Sequence, residues 1–145
     1  MTGHTKGGLD GNTSSGSADL FVVKYNSSGT KQWTKQLGSS SSDYAKGVAV
    51  DSSGNVYAAG YTNGGLDGNT NSGSNDLFVV KYNSSGTKQW TKQLGTSGGR
   101  AHGVAVDSSG NVYAAGYTDG GLDGNTSSGG QDIFLVKYNS SGVKQ

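Results

Sequence analysis

The sequence predicts an all-β fold in which one four-stranded antiparallel unit is used repeatedly. Three observations carry this. The stretch GVAVDSSGNVYAAGYT at Gly47 to Thr62 returns unchanged at Gly103 to Thr118. A second stretch, DLFVVKYNSSGTKQWTKQLG, fills Asp19 to Gly38 and again Asp76 to Gly95, and begins a third time as DIFLVKYNSSGVKQ at Asp132. Short runs of Val, Phe, Tyr and Leu alternate with Gly/Ser/Asn/Asp turns, and neither Pro nor a 3.6-residue apolar period interrupts them with a helix.

In chain order each unit reads as four strands. Strand A lies around GVAVD and strand B around NVYAAGYT, and the DSSGN between them is a tight turn in which Gly54 or Gly110 takes positive φ. The B-to-C link is long and Gly-rich, as in NGGLDGNTNSGSN at Asn63 to Asn75. Strand C, around DLFVVKYN, places Phe21, Val23 and Tyr25 on one face and Leu20 and Val22 on the other. Both faces are apolar, which a sheet needs only when similar sheets cover it on both sides. Strand D, around TKQWTKQLG, is more polar, with Trp33, Lys35 and Leu37 opposite Gln32, Thr34 and Gln36. The D-to-A link varies by one residue, GSSSSDYAKG at Gly38 to Gly47 against GTSGGRAHG at Gly95 to Gly103. Equivalent positions therefore recur at 57 (Asp19 to Asp76) and at 56 (Asp76 to Asp132).

Residue size is graded across the unit. Ala49, Ala58, Ala59 and Gly60 crowd strands A and B, bulky side chains fill C, and D is half-wet. This is the taper of a β-propeller blade, whose inner strands converge on an axis and whose last strand forms the rim. The chain divides into a partial blade at 1–46 (end of B, then C and D), a complete blade at 47–102, and a partial blade at 103–145 (A, B and C). At 145 residues this is about 2.6 units, against roughly 4 to 8 in closed propellers. Apolar terminal faces in such an incomplete propeller are expected to close a homo-oligomeric ring or to meet further blades of a longer propeller.

Composition narrows the partners. Hydrophobic residues are only 30% and Gly supplies 27 positions, so disorder is the first alternative; the clustered apolar runs argue against it. Lys+Arg 11 against Asp+Glu 10, without a basic stripe, makes nucleic acid and anionic membrane unexpected partners. No stretch approaches a membrane span of roughly 18 apolar residues, and MTGHTKGG has no apolar signal core. With no Cys, disulfides and thiol chemistry are excluded.

GVAVDSSGNVYAAGYT followed by DLFVVKYNSSGTKQWTKQLG closely resembles the bacterial β-propeller repeat of the SBBP family, and more distantly the NHL repeat with its hairpin G-[VI]-A-V-D-x-x-G-N-[VI]-Y-V. The resemblance implies a four-stranded blade, an extracellular or cell-surface setting, and no catalytic residue to carry over.

An up-and-down meander brings the B-to-C and D-to-A loops to one end of the blades, and the variable positions gather there. Lys6, Asn63 and Asp119 are equivalent, as are Ala18, Asn75 and Gln131, and as are Lys46 and His102. That end is therefore read as a binding face for a glycan or protein ligand, with Tyr44, Lys46, Arg100 and His102 as its most informative side chains and Lys6, Asn63 and Asp119 beside them. Drift in unconstrained loops is the competing reading. The thrice-used GGLDGNT offers Asp10, Asn12 and Asp19 as calcium oxygens, but it lacks the spacing and closing Glu of a known calcium loop, and an Asp-Gly turn is the simpler account. Asp51 and Asp107 likewise read as turn residues, and Trp33 and Trp90 as rim packing with sugar stacking as the alternative.

Catalysis has no visible apparatus. His4 and His102 fall at different repeat positions, no G-x-S-x-G elbow occurs, and carboxylates are not paired across a cleft. A non-catalytic, cofactor-free scaffold is expected; a lectin-like propeller is the alternative, and a quinoprotein-type enzyme, which needs convergent charges in a closed ring, is the remote one.

Overall fold

The computed structural model describes residues 1–95 and 97–145. Among these described residues ten strands form three antiparallel sheets in strict sequence order. The first contains β1 (Thr2–Thr5), β2 (Asp19–Tyr25) and β3 (Lys31–Leu37). The second contains β4 (Asp43–Val50), β5 (Val56–Thr62), β6 (Asp76–Tyr82) and β7 (Lys88–Gly95). The third contains β8 (Gly99–Val106), β9 (Val112–Thr118) and β10 (Asp132–Tyr138). These are propeller blades, and the sheets do not close into a ring.

The turns form as their residues require. In DSSGN the Asp51 carboxylate accepts the Ser53 and Asn55 backbone N–H groups at 3.0 and 2.9 Å, while Gly54 adopts φ +79°. Asn26, Asn83 and Asn139 do the same work in the three NSSG turns.

Blades stack through two apolar seams of the same design. At the first, Leu20 and Val22 with Trp33 and Leu37 meet Ala45, Val56, Ala58, Phe78 and Val80. At the second, Leu77 and Val79 with Trp90 and Leu94 meet Ala101, Val112, Ala114 and Val136. Opposite faces of strand C thus serve opposite neighbours, the use that its double apolar character predicts. Each seam also has a polar clasp at the rim. Lys24 Nζ donates to the Gly54 and Ser84 carbonyls at 3.1 and 3.0 Å, and Trp33 Nε1 donates to the Ser84 carbonyl at 3.1 Å. Lys81 and Trp90 repeat this on Ser140 at 3.1 and 3.3 Å. Both tryptophans are therefore blade-to-blade rim packing.

Two details depart from the sequence reading. The GGLDGNT loop contains a single 3-10 turn at Leu66–Gly68, and it drives Leu66 fully into the first seam as Leu122 is driven into the second. Strand A begins at Asp43 and Gly99, ahead of the GVAVD motif that announces it. Tyr44, Lys46, Arg100 and His102 consequently lie on strands, beside the D-to-A loops and not within them.

The outermost faces are open. Ile133 and Leu135 are 93% and 70% exposed, whereas Leu77 and Val79 at the same blade positions are 0% exposed beneath the next sheet. Burying such a side chain contributes roughly 1.5–3 kcal/mol. On the other outer face Tyr25 is 46% exposed, against 3% for its equivalents Tyr82 and Tyr138.

Candidate functional site

Strand A carries a β-bulge in both blades that possess it. Ala45 pairs with Gly60 and Gly47 with Ala59, which leaves Lys46 as the unpaired extra residue; His102 is extra in the same way between Ala101 and Gly103. A bulge re-aims its side chain and bends the strand. Gly60 and Gly116 permit it, because a Cβ there would stand 1.9 Å from the Tyr44 or Arg100 carbonyl oxygen. The glycine of strand B thus answers to backbone proximity as much as to taper.

Just beyond each bulge, cross-strand pairing sets Tyr44 opposite Tyr61 and Arg100 opposite Tyr117. Their rings and cations run from blade to blade as one row. His4 of β1 packs edge-on to Tyr44 with ring centroids 4.7 Å apart, and Tyr44 lies 5.0 Å from Tyr61. Lys46 Nζ stands over the Tyr44 and Tyr61 rings at 5.6 and 5.5 Å. Across the second seam, the Arg100 guanidinium stands over Tyr61 at 5.1 Å and over Tyr117 at 5.8 Å, with Nη1 donating to the Tyr117 hydroxyl at 2.9 Å. His102 stacks on Tyr117 at 5.3 Å. Lys46, His4 and His102 are exposed, and the tyrosines and Arg100 are half-buried.

Cation–π contact holds these charges without neutralising them. Among the described residues the ion pairs are Lys31–Asp10, Lys88–Asp67 and Lys144–Asp123, so Lys46 and Arg100 have no carboxylate partner, and Arg100 Nε is buried without an acceptor. The nearby carboxylates are committed elsewhere. Asp43 is buried and accepts from the Ser39 backbone N–H and the Ser39 and Thr62 hydroxyls; Asp119 accepts from Gln131 Nε2 at 3.1 Å.

The structure thus brings together Tyr44, Lys46, Arg100 and His102 and adds His4, Tyr61 and Tyr117. Lys6, Asn63 and Asp119 are exposed at the starts of the B-to-C loops and take no part in the row's ring and cation contacts.

Other carboxylates serve the scaffold. Asp10, Asp67 and Asp123 take positive φ in their turns and each meets a strand-D lysine. Asp19 Oδ2 accepts from the Ser15 N–H and Gln36 Nε2 at 2.7 and 2.8 Å, and Asn12 Nδ2 donates to the Leu9 carbonyl at 2.7 Å. Burial would raise Asp51, but hydrogen bonds from Asn55, Tyr57 and Ser53 outweigh it and hold the carboxyl below its ordinary value. At Asp107 hydrogen bonds from the Asn111 side chain and backbone lead the same lowering.

A groove lies away from the row. Of about 630 Å3, it runs along β10 and the loop from Thr118 to Ser128, on the side where β3 and β7 cover β2 and β6.

The SBBP model, described as a beta-propeller repeat, matches residues 32–67 and 89–123, each match running from strand D through the A–B hairpin into the following loop. The chain is 30% identical over 149 residues to Regulatory protein FlaEY of Caulobacter vibrioides, a match covering 94% of this chain and 16% of that protein. It is 29% identical over 153 residues to an uncharacterized WD repeat-containing protein of Acanthamoeba polyphaga mimivirus, covering 92% of this chain and 11% of that one. The chain therefore spans a small part of the relatives it matches.

Proposed function

Because this chain is a run of SBBP-type β-propeller repeats, we propose that it acts as a non-catalytic scaffold of stacked blades whose open face on β8–β10 receives either the β1–β3 face of a second copy or the next blade of a longer propeller. One observation carries the reading: both internal seams use the same residues at the same blade positions, and the strand-C members of that set are the ones exposed at the ends, Ile133 and Leu135 on one side and Tyr25 on the other. A face already seen to pack on its own kind twice within the molecule is complementary to it a third time. The blades would present a recognition surface at the end where β4 and β8 begin, with ligands gripped by strand residues and the loops as surroundings. A lectin-like role is the second reading, favoured by the tyrosine and cation row. An enzymatic role gains no support, since the repeated carboxylates are engaged in turns and ion pairs.

Sedimentation equilibrium of the full chain tests the scaffold reading. Multimers that dissociate on Ile133→Lys with Leu135→Lys are expected. A wild-type chain that stays monomeric at tens of micromolar overturns the self-association.

A further inference from the structure

We propose that the row of Tyr44, Lys46, Tyr61, Arg100, His102 and Tyr117 binds an acidic oligosaccharide, with Lys46 and Arg100 meeting its carboxylates or sulfates and the tyrosine hydroxyls meeting its hydroxyls. The inference deepens the recognition-surface part of the function proposed above and rests on it.

Electrostatics set the sign of the ligand. Lys46 and Arg100 are charged, lie against aromatic rings and lack carboxylate partners among the described residues. A guanidinium or ammonium held on a ring keeps its outward N–H donors free, and an anion placed there makes charge-assisted hydrogen bonds without first breaking an ion pair. The two cations stand on successive blades, linked through the ring of Tyr61 that both approach. A ligand with anionic groups repeated along its length engages both at once, and the second contact is then intramolecular.

Geometry sets the class. An extended acidic peptide would bind most simply by adding a strand to the free edge of β4 or β8. The bulges at Lys46 and His102 interrupt those edges, which removes that mode. Nucleic acid needs many phosphate contacts, and the row offers two permanent cations in a chain of net charge +1. What remains is side-chain recognition of a hydroxyl-rich anion. Phenol hydroxyls both donate and accept, and those of Tyr44 and Tyr61 have no hydrogen-bond partner among the described residues.

Titration calorimetry on the full chain, with a sulfated uronate-containing hexasaccharide, its desulfated and carboxyl-reduced neutral counterpart, and an oligoglutamate peptide as probes, decides the matter. The acidic saccharide is expected to bind, with affinity falling as salt rises. Lys46→Gln and Arg100→Gln should each weaken it about tenfold, the loss of one charge-assisted hydrogen bond. Lys31→Gln, at the rim, should leave it unchanged. Lys46 is exposed, so its variant keeps the test valid if Arg100→Gln perturbs folding, which circular dichroism reports. No binding, equal binding of the neutral saccharide, or indifference to both variants overturns the proposal; tighter binding of oligoglutamate replaces it with acidic-peptide recognition. A monomeric chain that binds the saccharide sinks only the self-association, and a multimer that does not bind sinks only this inference.

Discussion

Gly86 lies against the Trp33 ring of the preceding blade, so close that a Cβ would stand 2.9 Å from Trp33 Cδ2. Its φ of +82° suits the NSSG turn, and the clasp on the Ser84 carbonyl seals the same contact. Gly29 sits in an identical turn with φ +77° and nothing within 4 Å.

The pair separates backbone strain from seam packing. Gly29→Ala should cost about 1–2 kcal/mol, the price of a left-handed residue with a side chain. Gly86→Ala should add roughly 1–3 kcal/mol of overpacking at the seam. Urea denaturation midpoints compare them, and equal losses would show that the seam does not hold the turn.

Gly60→Ala should disrupt more than stability. Its Cβ would collide with the Tyr44 carbonyl across the bulge, so the strand must shift and Tyr44 and Lys46 must leave their places over Tyr61. The expected outcome is a lower melting temperature together with a changed near-ultraviolet tyrosine signal. Gly11→Ala, in a loop with nothing within 4 Å, should leave that signal intact.

Stability should fall in acid for a definable reason. Asp51 and Asp107 have folded values below the ordinary 3.8, so their contribution is present above the unfolded value and is lost as pH drops through the depressed folded one. The melting temperature should be flat from neutrality to about pH 5 and decline below about pH 4. Replacing both with Asn should lower the plateau and flatten the decline; an unchanged acid limb would show that other carboxylates control it. Tyr57 acts at the other extreme. Burial, then its bond to Asp51, raises it, so its contribution is full below the unfolded value of about 10 and is lost as pH climbs through the raised folded one.

The β10 edge should accept a strand. Lys144 already bridges Tyr138, and the Gln145 N–H donates to the Lys137 carbonyl at 2.9 Å. In the other blades Gln36 and Gln93 each accept from a loop leucine N–H, at 2.9 Å for both Leu9 and Leu66, whereas Leu122 has no such partner among the described residues. A peptide WTKQLG, the sequence of Trp90 to Gly95, should shift the amide resonances of Ile133 to Lys137. The same peptide with Ala for Gln should bind more weakly, and no shifts from either would mean the groove is not strand-shaped.

The blade was legible because strand C announces itself twice. Leu77 and Val79 opposite Phe78 and Val80 leave no wet side, and the repeat supplies the neighbours that cover both. Leu66 and Leu122 were not legible as core, since a single leucine inside GGLDGNT belongs to no periodic run. The row was half legible. Arg100 and Tyr44 stood out as unusual side chains, but the bulge breaks the period-2 count that would otherwise have extended strand A to Asp43. Tyr61 and Tyr117 sat within an exact repeat, and only the cross-strand register shows what they face.

Seams made of the same residues have a cost as well as a use. A blade has little local means of telling its proper neighbour from the one beyond it, so connectivity must do the sorting that side chains ordinarily do. Concentrated refolding should therefore trap chains with sheets exchanged between molecules, and a distinctive substitution made in both halves of one junction would restore order by giving that joint an identity of its own.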